Sequence, residues 1–352
     1  MRIGIIAANN IRYSPYIFFY TKILDEAKIN YELIIPDRNP DLKDSFESVV
    51  HILPWNNKYS SIVNYLKYSK NVKSFVKKKK YEFLIVLTTV NAVFCSGWLK
   101  DKYAGKYLVD IRDYTYENNK IYYYLEKKSV KNSFLNVISS EKFKLFLPES
   151  RYLVCHNINT PYDGVDYKFK KKSGKIVIGY VGAVSYKDQC IRLMQLVDHD
   201  ERFEFHIYGA GVAIDIVRQY ANSLRNSRIQ LYGIYDPSEK DSIIQAVDIL
   251  FNAYGNGTPL LDYALSNKLY DSMYYHKPLL TSPKTSMEEL GGCLAYSLDL
   301  CTENSLDGLW NWYTSLSAKD VDKYADRMYS CFIRESKETK RSIMDCLSKL
   351  NK

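Results

Sequence analysis

The stretch Lys175-Ile176-Val177-Ile178-Gly179-Tyr180-Val181-Gly182 decides the fold. Its apolar residues follow one another without polar alternation and run straight into a glycine, the pattern of a strand buried on both faces that ends in a tight turn. It is preceded by a break in the pattern at 157–174, which holds Pro161, Gly164 and the basic tract Lys168-Phe169-Lys170-Lys171-Lys172. A buried strand starting afresh after such a break marks the beginning of a second domain.

Outward from this point the chain repeats one grammar in both directions. Toward the N-terminus, candidate strands fall at 2–7, 31–35, 49–53, 82–87, 107–111, 135–139 and 152–155, with helical patterns between most of them. Toward the C-terminus, strands fall near 203–208, 228–232, 248–252 and 278–281, and helices at about 188–197, 212–224 and 238–246. The last of these has a readable start, with Asp236 as N-cap, Pro237 at N1 and Glu239 at N3; residues 320–350 read as helices. Strand and helix in alternation predict α/β architecture with parallel, doubly wound sheets. We expect two Rossmann-like domains facing a cleft: an acceptor-binding domain at 1–158, a linker at 159–174, a nucleotide-binding domain at 175–318, and C-terminal helices at 319–352 that can cross back to the first domain.

Composition narrows the class. With 352 residues, 46% hydrophobic and 25% charged, the chain can bury two cores. The longest uncharged run, 83–99, is interrupted by Thr88, Thr89, Asn91, Ser96 and Gly97, so no transmembrane span is expected; Ile3-Gly4-Ile5-Ile6-Ala7 is too short for the apolar core of a signal peptide, and none is expected. Seven scattered cysteines without a CxxC pair suit reduced, mostly buried thiols in the cytosol better than disulfides or zinc. Net charge is +10 over residues 1–155 and −1 over 156–352. Much of the excess lies in 61–80, where Ile62, Leu66, Val72, Phe75 and Val76 recur at helical spacing among Lys67, Lys70, Lys73 and Lys77 to Lys80. Such a helix is either an ordinary surface helix or one facing anionic lipid or a phosphorylated acceptor. Tyr122-Tyr123-Tyr124 beside Lys120, Lys127, Lys128 and Lys131 makes a second basic and aromatic surface. No nucleic-acid-binding module accompanies these lysines.

Ligands of doubly wound sheets lie beyond the carboxyl ends of the strands. In the second half those ends carry Gly182 with Lys187 shortly after, then Gly209-Ala210-Gly211, then Gly233, and finally the segment from Asn252 to Ser266. Ser266-Asn267-Lys268-Leu269-Tyr270-Asp271 begins a short helix whose positive end would meet an anion. With Lys187 and the glycine turns, Ser266, Asn267 and Lys268 suit a nucleoside diphosphate and supply positive charge without a metal. The third glycine of a dinucleotide fingerprint is missing, which disfavours a dehydrogenase.

These segments together resemble the GT-B glycosyltransferases of the bacterial polysaccharide-building, family-4-like group. The resemblance rests on Gly179-Tyr180-Val181-Gly182, Tyr208-Gly209-Ala210-Gly211 and the run from Tyr263 to Asp271 that closes on His276-Lys277-Pro278-Leu279. Cys155-His156-Asn157-Ile158 resembles the family's domain junction, and Val109-Asp110-Ile111-Arg112-Asp113 an acidic segment of its acceptor half. The resemblance implies a late Glu-x7-Glu motif whose second carboxylate holds ribose; here the spacing falls on Tyr263 and Asp271. The basic residue frequent after the first glycine turn is replaced by Ala183, with Lys187 nearest. Asp110 and Asp113 are candidates to orient or deprotonate an acceptor hydroxyl, Arg112 is a phosphate or carboxylate partner, and Asn9, Asn10 and Arg12 are acceptor contacts.

The expected activity is glycosyl transfer from a UDP- or GDP-sugar to a growing lipid-linked surface glycan, as in bacterial capsule biosynthesis; retention at the anomeric carbon is what the resemblance implies, and the residues leave retaining and inverting transfer open. It would need no metal or cofactor and would take place on the cytoplasmic, peripheral face of the membrane. A sugar-nucleotide epimerase of the same fold and a non-catalytic membrane- or glycan-binding protein are the alternatives.

Overall fold

A computed structural model of the chain describes residues 1–11, 14–38, 49–158, 166–171 and 174–350. It divides into two units: residues 1–157 with the end of the chain from Ile333, and residues 158–332.

The first unit is built on seven strands, β1 (Arg2–Ile6), β2 (Asn30–Pro36), β3 (Val50–Leu53), β4 (Phe83–Leu87), β5 (Tyr107–Ile111), β6 (Leu135–Ile138) and β7 (Tyr152–Val154). They pair in the order β3-β2-β1-β4-β5-β6-β7, every neighbour parallel. Strand order reverses between β1 and β4, with Ile5 beside Leu33 on one side and Ile85 on the other. The crossovers are α1 (Ile17–Glu26), α2 (Ser61–Lys79), α3 (Thr89–Tyr103) and α4 (Lys120–Asn132). Ile3, Ile5, Leu33, Ile35 and Ile85 pack on Ile17, Tyr20 and Leu24 of α1. On the side of α2, Tyr68 donates its hydroxyl to the carbonyls of Ala7 and Ile34. α3 lies against both α2 and α4, and Ser69 and Ser129 from those helices each donate to an α3 carbonyl.

The second unit carries β8 (Ile176–Val181), β9 (Phe203–Tyr208), β10 (Ile229–Gly233), β11 (Ile249–Asn252), β12 (Leu279–Thr281) and β13 (Ala295–Ser297), parallel in the order β10-β9-β8-β11-β12-β13. Its helices are α5 (Lys187–Asp198), α6 (Ile214–Leu224), α7 (Lys240–Ala246), α8 (Pro259–Tyr263), α9 (Asn267–Tyr274), α10 (Ser286–Gly291) and α11 (Asp307–Ser315). The last helix, α12 (Ala318–Leu350), belongs to the second unit up to Phe332 and to the first from Ile333. The opening stretch is the central strand β8, and Gly179 is required there because a Cβ would sit 2.5 Å from Val247.

Several expectations are corrected. The segment from Asn252 to Ser266 contains a short helix, α8, capped by Thr258, and a sixth strand, β13, completes the second sheet. Neither has enough residues to show a period. The Asp236 cap with Glu239 is present, but it opens a 3₁₀ turn that leads into α7. In α2 the buried stripe is Asn64, Tyr68, Ser69, Val72 and Val76, whereas Ile62 and Leu66 are 65% and 57% exposed. Tyr68 takes the inward position because its hydroxyl, unlike an aliphatic side chain, hydrogen-bonds the Ala7 and Ile34 carbonyls at the sheet while its ring is buried. Of the seven free cysteines only Cys95, Cys155 and Cys190 are buried. Among the described residues no helix is long and apolar enough to cross a membrane.

Candidate functional site

The carboxyl ends of β8, β9, β10 and β11 bring most of the expected donor residues onto one rim of the second unit. Ser266 is the N-cap of α9: its hydroxyl accepts from the Lys268 amide at 3.3 Å and donates to Asn252 Oδ1 at 2.6 Å. That second bond ties the start of α9 to the end of β11. Asn267, the first helical residue, is exposed, and Tyr263 ends α8 half-buried.

Lys268 is buried, with its Nζ 4.9 Å from the Tyr180 ring and 5.3 Å from that of Tyr254. A Cβ added to Gly182 would lie 3.7 Å from the same Nζ, so the ammonium is aimed at the turn after β8. Burial pushes its pKa down to about 8, against the pull of Asp271. A buried, desolvated cation with aromatic faces, and with no carboxylate in ion-pair distance among the described residues, is poised for an anionic partner.

Asp271 lies one turn further on and is also buried; its Oδ1 accepts from Lys240 Nζ at 2.7 Å. Burial raises its carboxyl pKa, and Lys240 opposes the rise. Lys240, the first residue of α7, was missed by sequence reasoning: one lysine at a helix start carries no signal until the fold sets α7 beside α9. Tyr186 and Tyr254, stacked with ring centroids 4.1 Å apart, were missed for the same reason.

The glycines divide by role. A Cβ on Gly209 would strike the Gly182 carbonyl at 1.9 Å, and one on Gly211 would strike the Val184 backbone at 2.4 Å. Gly209 and Gly211 thus let two loops pack backbone to backbone, whereas Gly182, at φ 122°, keeps an open side toward Lys268. Lys187 opens α5 at the same rim, exposed, with its nearest carboxylate the neighbouring Asp188 at 3.9 Å.

In the first unit, Asp110 is the penultimate residue of β5, two positions before Arg112. The Arg112 guanidinium pairs with both carboxylate oxygens of Asp110, at 2.7 and 2.8 Å, and donates to the Cys155 carbonyl at 2.8 Å. Asp110 is 0% exposed, so the pair ties the end of β5 to the end of β7. Asp113 keeps solvent access at its surface, but the protein packed around it desolvates the carboxyl enough to raise its pKa, against the pull of Arg112. Asn9 caps its own turn, its Oδ1 accepting from the Asn10 amide at 3.0 Å, and Asn10 is buried. Arg12 lies outside the described residues.

No protein-family model matches the chain, and no curated protein matches it in sequence. Its structure is similar to that of the lipopolysaccharide outer core galactosyltransferase WaaB in its apo form, at 14% identity over 98% of this chain and 99% of that one, with a TM-score of 0.67. Anabaena Alr3699/HepE in complex with UDP and glucose is similar at 12% identity over 99% of both chains, TM-score 0.67. A chain from Listeria monocytogenes assigned as a UDP-N-acetylglucosamine 2-epimerase is similar at 10% identity over 92% of this chain and 90% of that one, TM-score 0.61. The two parallel-sheet units are those of the GT-B fold.

Proposed function

We propose that the protein is a glycosyltransferase that moves a sugar from a nucleotide-sugar donor, UDP-linked first and GDP-linked second, to a growing glycan carried on a lipid. The observation that carries this reading is the buried Lys268 ammonium aimed at the Gly182 turn from the first turn of α9. In glycosyl transfer, negative charge builds on the departing diphosphate, and preorganised donors stabilise it. Lys268, Lys187 and the first amides of α9 supply those donors in this reading. Asp271, held by Lys240, accepts from the ribose hydroxyls, and the Tyr186–Tyr254 stack walls the sugar side. Asp113 is the carboxylate with access to an acceptor hydroxyl, while Asp110 and Arg112 position the β5 end beneath it. The Anabaena neighbour's UDP and glucose support a uridine nucleotide. Retention at the anomeric carbon and a surface-polysaccharide product belong to this reading by resemblance.

The partner surface is proposed to be an anionic membrane. Tyr59, Ile62, Val63 and Leu66 are exposed around the first turns of α2, and no carboxylate occurs between Glu47 and Glu82. Exposed aliphatics beside unopposed lysines suit an interfacial helix.

The test is thermal unfolding of the full chain with UDP-, GDP- and ADP-sugars. One class is expected to stabilise it, by about 2.7 kcal/mol at one hundred times its Kd, and Asp271→Ala to remove that gain. If no nucleotide stabilises the protein, the donor reading fails. Conversion of the sugar nucleotide with no acceptor present would instead identify an epimerase.

A further inference from the structure

At the amino-terminal edge of the first sheet, opposite the rim that carries Asp113, the first unit has a groove of about 1020 Å³. Lys73 and Lys77 from α2, Lys80 just past its end, and Lys102 and Lys106 from the end of α3 and the turn before β5 all line it. Among the described residues, none of these five ammonium groups has a carboxylate within ion-pair distance. Among the described residues Glu82 is the only carboxylate in the lining, and it accepts from the Arg2 backbone amide at 3.0 Å. The floor is apolar and rigid: Trp98 meets the Tyr103 ring edge to face at 5.8 Å, and the Tyr103 hydroxyl donates to the Tyr81 carbonyl at 2.9 Å.

The ordinary use of lysines here is to balance helix dipoles, because α2 and α3 both end at this groove. Each helix end carries roughly half a negative charge. One lysine for the pair would balance that and a second would balance Glu82, so about three positive charges are left over in a concave site with an aromatic floor. Unopposed ammonium groups gathered in a recess raise the local concentration of anions and desolvate one on contact. At about 1020 Å³ the recess is too large for a single small ion.

We propose that this groove is a second anion site, which binds the phosphate group of an anionic headgroup, carried either on a membrane lipid or on a soluble phosphoester. It is independent of the donor-site reading, since every residue that lines it belongs to the first unit, while its lipid arm rests on the membrane reading of α2.

The experiment uses the full chain as wild type, Lys77→Glu/Lys102→Glu, Lys77→Gln/Lys102→Gln in case charge reversal disturbs the helix ends, Lys22→Glu/Lys319→Glu as a control of equal charge change elsewhere, and Lys268→Ala. Binding is measured to vesicles of phosphatidylglycerol in phosphatidylcholine by sedimentation, and to glycerol 3-phosphate by calorimetry. A loss of about tenfold in vesicle affinity in the groove variants, with less than about threefold in the control and in Lys268→Ala, establishes the site with a lipid source. The same selective loss for glycerol 3-phosphate establishes it with a soluble source. Equal losses in groove and control variants, or no loss in either arm, overturn the proposal.

Discussion

At the scale of the residue, Lys268 carries the functional reading and weakens the fold that holds it. Burial lowers its pKa from 10.5 to about 8, so below pH 8 the folded protein keeps a desolvated cation that the unfolded chain would solvate. The folded state binds fewer protons than the unfolded one between about pH 8 and 10.5, and stability at this site rises as pH climbs through that window. Lys268→Met is therefore expected to raise stability at pH 7 by about 1–3 kcal/mol, read in urea titrations, while abolishing stabilisation by nucleotide. A drop in stability together with intact nucleotide binding would contradict both roles. Ala183, exposed beside the Gly182 turn, offers a rescue. Adding Ala183→Arg to Lys268→Met should recover part of the nucleotide-induced shift, because the charge then returns to the same turn from the other element.

Among the elements, α4 holds the clearest pH-sensitive group. Glu126 is fully buried, and among the described residues neither carboxylate oxygen has a hydrogen-bond partner. Burial, then the nearby Glu117, pushes its pKa up to about 9. The carboxyl is thus neutral in the folded protein at pH 7, and the folded state holds a proton that the unfolded chain releases above about pH 4.5. Its contribution is complete below that value and is lost as pH rises toward 9. Between pH 6 and pH 9 the wild type should lose at least about 2 kcal/mol more than Glu126→Gln, seen as a falling urea midpoint in one protein and a flatter one in the other. The exposed end of α2 makes a different prediction. Ile62→Ser with Leu66→Ser should leave stability within about 0.5 kcal/mol, as expected for surface positions, yet weaken binding to anionic vesicles several-fold. Unchanged vesicle binding would remove the interfacial role of α2.

For the whole molecule, the first unit's core is completed from the far end of the chain. Ile343 and Leu347 of α12 are buried against the cluster built on β1, β2 and α1. Lys340 pairs with Glu26, and Thr339 donates to the Val154 carbonyl. Ile343→Ala should cost about 2–4 kcal/mol and lower the unfolding midpoint of the first unit in denaturant, with nucleotide stabilisation of the second unit retained. The alternation of buried strands and helices, the glycine turn after β8 and the N-cap of α9 were all legible in the sequence, because each depends on residues within a few positions of one another. The α/β class, parallel sheets and placement of Ser266, Asn267 and Lys268 at one helix start follow from that local pattern. Only the tertiary structure decided that Tyr68 rather than Ile62 faces inward on α2, that Asp110 is sealed by Arg112 while Asp113 stays open, and that Lys240 meets Asp271. Those outcomes turn on which distant backbone carbonyls and charges come within hydrogen-bond reach, and a chain written in one dimension does not hold those distances.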